Sequence, residues 1–170
     1  MLLFLSGWPA CGQAHYGEWL VTHYDFQHLD LEIPAADSSE LHDLWEKHLP
    51  GKAPALAAKL LKRHPRWVVT GGAPTDNLPN LEALRAAGFS LWFLLPRSES
   101  LSRQRWLQIE REKDPAARPT PWEKHADAIR SSARQLRPFF RDHCITTLNG
   151  VAELLDGDAL AAQLGIPARA

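Results

Sequence analysis

The run Gly7-Trp8-Pro9-Ala10-Cys11-Gly12-Gln13-Ala14 carries the Gly-x-x-x-x-Gly spacing of a loop that cradles phosphate. In such a loop, successive backbone N–H groups converge on the anion at the positive end of a helix. Gly7, Gly12 and the backbone from Cys11 to His15 have the sequence to supply that shape. Phosphoryl transfer needs two side chains besides: a lysine charge on the phosphates and a Ser or Thr hydroxyl on Mg²⁺. Those positions hold Gln13 and Ala14. Gln13 donates a hydrogen bond but brings no charge, and Ala14 ligates nothing. The expected chemistry is therefore anion binding by Gly7, Cys11, Gly12, Gln13, Ala14 and His15, with stabilisation of transition-state charge much weakened. His15 would add a donor to a phosphate, most strongly if protonated; a solvent-facing helix residue explains it equally well.

Such a loop must sit between a strand and a helix. Leu2–Ser6 is a strand-like apolar run, and Tyr16, Trp19, Leu20 and His23 recur at helical spacing after the loop. Further apolar runs near 26–31, 67–70, 89–95 and 144–148 alternate with helical patterns. That alternation predicts an α/β fold, three layers around a five-stranded parallel sheet. Helices are expected near 39–49, 54–63, 80–87 (closed by Gly88), 98–113, 122–140 and 151–164. Three prolines between Asp114 and Pro121 break the pattern, so a lid-like insertion is expected at about 113–121 within a single domain spanning 1–170.

Bulk composition narrows the function classes. The 170 residues are 45% hydrophobic and 23% charged, with a net charge of -1, which argues against general nucleic-acid binding. Cys11 and Cys144 make neither a disulfide framework nor a zinc site and read as reduced thiols of a cytoplasmic protein. No targeting segment stands out, and no run approaches the roughly 20 apolar residues that span a bilayer. The seven tryptophans read as core anchors. A protein-binding surface built from Trp8, Trp45, Trp92 or Trp122 is the alternative, so a protein partner or homo-oligomer stays open.

The stretch GWPACGQAHYGEWLVTHYDFQHLDLE resembles the start of the small P-loop kinases of the shikimate, gluconate and nucleoside monophosphate kinase kind. Gly7, Pro9 and Gly12 match their Gly-x-Pro-x-x-Gly-Lys-Ser-Thr run; Gln13 and Ala14 depart from it; Asp30-Leu31-Glu32 takes the place of their Asp-x-Asp. The segment from Trp67 to Gly72 is similar to the third strand and glycine turn of shikimate kinases. FSLWFLLPRSESLSRQRW is similar to their fourth strand and following helix, and ARQLRPFFRDHCITTLNG to their last helix and strand.

The resemblance implies the P-loop NTPase fold, with ATP or another nucleotide as cofactor and Mg²⁺ weakened by the missing loop hydroxyl. It implies Asp30 as a catalytic and metal-holding carboxylate, and Arg118 as a catalytic lid residue. Arg103 or Arg111 would contact the nucleotide phosphates, while Glu32, Gly71, Gly72 and Arg137 (or Arg134) would face the substrate. A solvated acidic pair, a tight turn before Ala73-Pro74 and solvated arginines are the plainer explanations. The stretch LPGKAPALAAKLLKRHPRW lacks the substrate-clamping arginine of shikimate kinases, which argues against shikimate as substrate. Three functions remain: a degenerate binder of a nucleotide or other small phosphorylated ligand with weak or no transfer; an active small-molecule kinase in which Arg111, Arg118 or Lys113 replaces the missing charge; or a non-catalytic scaffold.

Overall fold

Each of the five apolar runs forms a strand in the computed structural model, which describes residues 1–33, 51–74 and 78–167. In chain order the elements are β1 (Leu2–Gly7), α1 (Gln13–Tyr24), β2 (Gln27–Asp30), α2 (Ala53–Arg63), β3 (Trp67–Thr70) and α3 (Leu78–Ala86). There follow β4 (Phe89–Pro96), α4 (Glu99–Lys113), α5 (Thr120–Phe140), β5 (Cys144–Leu148) and α6 (Gly157–Gln163). The expected helix at 39–49, and Trp45 with it, lies outside the described residues.

The sheet is parallel throughout, in the order β2-β3-β1-β4-β5. Successive side chains of a strand point to opposite faces, and every residue of β1 and β3 is buried, so both faces are covered. β1 lies between β3 and β4, where the chain changes direction across the sheet. In open α/β sheets the carboxyl ends of strands at such a point frame a crevice. Gly7 closes β1 there, and an added Cβ would lie 2.3 Å from the Leu94 carbonyl oxygen of β4. That position needs glycine for close approach as well as for its φ of 156°.

Two expectations are corrected. The α1 face that enters the core is Tyr16, Gly17, Leu20 and Tyr24, while Trp19 and His23 stack on one another at its margin, ring centroids 3.8 Å apart. The last helix is shorter than 151–164. Asn149 Oδ1 accepts the N–H groups of Val151 and Glu153, Ala152 adopts φ 62°, and Leu154 bridges back to Leu148. Helix then begins only after Asp156, whose carboxylate caps the N–H groups of Asp158 and Ala159.

Candidate phosphate-binding site

The loop between β1 and α1 is held by its carbonyls. Trp8 accepts from Gln13 Nε2 at 3.0 Å, Pro9 from Ser102 Oγ at 2.6 Å, and Cys11 from Thr147 Oγ1 at 2.8 Å. Ser102 in turn accepts from Trp122 Nε1 at 2.9 Å, which ties α4 and α5 to the loop. Ala10 (φ 60°) and Gly12 (φ 92°) are both left-handed and bend the backbone into the start of α1. The N–H groups of Gln13, Ala14 and His15 fall in the first helical turn, where no intrahelical acceptor exists. Gly12 gives no side-chain cap and the first turn holds no acid, so among the described residues these donors stay free.

They face a cavity of about 410 Å³ at the carboxyl ends of the strands. Its walls include Gly7, Gly12, Gln13, Ala14, His15, Asp30, Glu32, Gly71 and Gly72, so most of the residues singled out in the sequence meet at one place. Arg111, Arg118 and Arg137 are exposed and do not line it. Cys11 lies behind the loop and does not line the cavity: it is fully buried, its N–H donates to the Trp8 carbonyl at 3.2 Å, and burial pushes its thiol up to about 12. His15 is held below its ordinary 6.5 by burial and by the nearby Arg105 guanidinium. Trp8 leaves the hollow open: it is buried and packs on Trp122, ring centroids 6.1 Å apart.

Other wall residues carry no sequence motif. Arg105, Trp106, Ile109, Glu110 and Lys113 line the cavity from α4, and His125 from α5. Positions 105, 106, 109, 110 and 113 share one helical face, and Arg111 falls off it. Arg103 points instead to Glu123, at 3.7 Å. The helical period takes Arg111 off this face, whereas Arg103 neighbours position 110 on the helical wheel and is drawn away by Glu123.

At the far end, Asp30 Oδ1 accepts the Glu32 N–H at 2.9 Å. Thr70, between Asp30 and the Gly71-Gly72 turn, is also part of the wall. Its Oγ1 lies 2.7 Å from His28 Nε2, and His28 Nδ1 lies 2.8 Å from Glu18 Oε1. An ionised Glu18 only accepts, so Nδ1 carries a proton and a neutral His28 accepts the Thr70 hydroxyl. This chain joins α1, β2 and β3 beneath the cavity.

For a nucleotide or other phosphate ester, the free N–H groups and the neighbouring guanidinium fit the anion. For Mg²⁺ the donor set is thin. No group of three His, Cys, Asp or Glu side chains among the described residues is arranged for a metal, and Ala14 offers no oxygen. An ion there would rest on Asp30, Glu32 and the ligand's own phosphates.

No protein-family model matches the chain, and no curated protein matches it. Solved structures do. A shikimate kinase from Bacteroides thetaiotaomicron is 16% identical with a TM-score of 0.60, over 97% of this chain and 98% of that one. A shikimate kinase from Acinetobacter baumannii, in complex with shikimate, is 19% identical with a TM-score of 0.56, over 96% of this chain and 92% of that one. Among the described residues no helix is long and apolar enough to cross a membrane. From the parallel sheet, the loop after β1 and these likenesses together, the chain has the small P-loop kinase fold of the shikimate kinase kind.

Proposed function

We propose that this protein binds a nucleotide or other small phosphorylated ligand in the cavity and transfers phosphate weakly or not at all. The observation that carries this reading is the split between backbone and side chains of one loop. Free N–H groups at the start of α1 open on the cavity, whereas the Gln13 amide is bonded to the Trp8 carbonyl and Ala14 has no oxygen to give. Backbone donors and a helix dipole suffice to hold an anion. They do not replace the charge that stabilises a phosphoryl transition state.

Active phosphoryl transfer is the second reading, favoured by Asp30 and Glu32 lining the same cavity as Arg105 and Lys113. Asp30 would then serve as catalytic and metal-holding carboxylate and Glu32 would face a substrate hydroxyl. Thermal shift with ATP, ADP, GTP and pyrophosphate, each with and without Mg²⁺, tests the binding reading. Stabilisation by pyrophosphate or a nucleotide without detectable turnover of ATP on hydroxylated metabolites is expected. Mg²⁺-dependent turnover would replace it with the second reading, and no shift with any ligand would contradict both.

A further inference from the structure

Nothing in the loop itself supplies positive charge, so the cations around it decide what the cavity can hold. Among the described residues, the arginine and lysine lining the cavity are Arg105 and Lys113. Lys113 sits at the exposed end of α4 with its Nζ 2.9 Å from Glu110 Oε1, so its charge is already partly met. Arg105 lies deeper, with no carboxylate against it among the described residues. Its Nη1 donates to the Ala152 carbonyl at 3.1 Å, and its Nε is buried without any hydrogen-bond partner. A buried guanidinium N–H without an acceptor is uncommon, so this charge is under-compensated within the protein. Its charge is felt at His15, Cys11 and Tyr16, the residues that form the loop and open α1.

We propose that Arg105 supplies from α4 the positive charge that Gln13 does not, making the cavity a site for a phosphate or diphosphate group held without Mg²⁺. This rests on the phosphate-binding reading above and adds to it the residue and the metal independence. A guanidinium is permanently charged and its planar fork matches phosphate oxygens, so it neutralises an anion without a metal's help. Ala14, at the position where a hydroxyl would otherwise hold the ion, removes the loop's own contribution to Mg²⁺ binding.

Calorimetric titration with sodium pyrophosphate, in EDTA and in Mg²⁺, tests the proposal on the wild type and on Arg105→Gln and Arg105→Lys. The wild type is expected to bind in EDTA with Mg²⁺ giving no tightening. Arg105→Gln is expected to lose about 10- to 100-fold in affinity, as for a charge-assisted hydrogen bond, with Arg105→Lys in between. The His15 titration followed by NMR, expected to shift upward in Arg105→Gln, reports that the guanidinium charge has been removed from beside the loop. Should Arg105→Gln fail to fold, the Mg²⁺ comparison on the wild type and the Arg105→Lys affinity decide. Pyrophosphate binding that Mg²⁺ tightens tenfold or more, or a folded Arg105→Gln that binds like the wild type, overturns the proposal and leaves the phosphate-binding reading standing. No pyrophosphate binding under either condition overturns both.

Discussion

Gly17 lies inside α1, where alanine is ordinarily favoured by about 1 kcal/mol. Here a Cβ would sit 2.4 Å from His28 Nε2, the atom that meets the Thr70 hydroxyl. Crowding of that kind costs about 1–3 kcal/mol and outweighs the propensity gain. Gly17→Ala is therefore expected to lower stability in urea denaturation; a stabilised variant would contradict the packing described for His28. Thiol chemistry gives a second test. Cys11 is fully buried with a thiol pushed up to about 12, whereas Cys144 is exposed. One thiol per native molecule should react with a disulfide reagent at pH 8, and the second only on unfolding. Two equally fast thiols would refute the burial of the loop. At this scale the loop of Gly7, Pro9 and Gly12 was legible because its spacing falls between a strand-like run and a helical pattern, where β1 and α1 form. Arg105 was not, because four arginines lie between 97 and 111 and only the docking of α4 decides which one meets the loop.

Between elements, Ser102 is the connector. It donates to Pro9 and accepts from Trp122, so α4, α5 and the loop share one hydroxyl. Ser102→Ala leaves the buried Trp122 N–H unpaired and frees the Pro9 carbonyl, an expected loss of about 1–3 kcal/mol. Phosphate affinity should fall with it, since the loop loses one of its side-chain anchors. Stability within a few tenths of a kcal/mol of wild type would show that the connection carries nothing. The strands were legible here because continuous apolar runs have few other uses in a parallel sheet. The last helix was overextended because the apolar pattern from 151 onward ignores Asn149 and Asp156, whose side chains stop and restart the backbone. The face of α1 was legible only in part, since Trp19 and His23 stack on one another while Trp19 still packs against the margin of the core.

Taken as a whole, the molecule places the start of α1, the Arg105 guanidinium and His15 along one cavity with Asp30 and Glu32. His15 titrates below its ordinary 6.5. As pH falls, the unfolded chain therefore takes up this proton first. The stability His15 contributes is present above about 6.5 and lost as pH falls through the folded value. A bound anion favours the imidazolium, so sulfate, whose own charge is constant in this range, should bind more tightly as pH drops below about 6.5. Affinity that stays flat in calorimetry from pH 8 to 5 would place the anion away from His15. The central claim, that the start of α1 holds phosphate through its backbone, is tested most directly by titrating pyrophosphate into ¹⁵N-labelled protein and following the amide N–H signals. The account predicts saturable shifts concentrated at Gly12, Gln13, Ala14 and His15. Shifts absent there, or centred elsewhere on the surface, would contradict it.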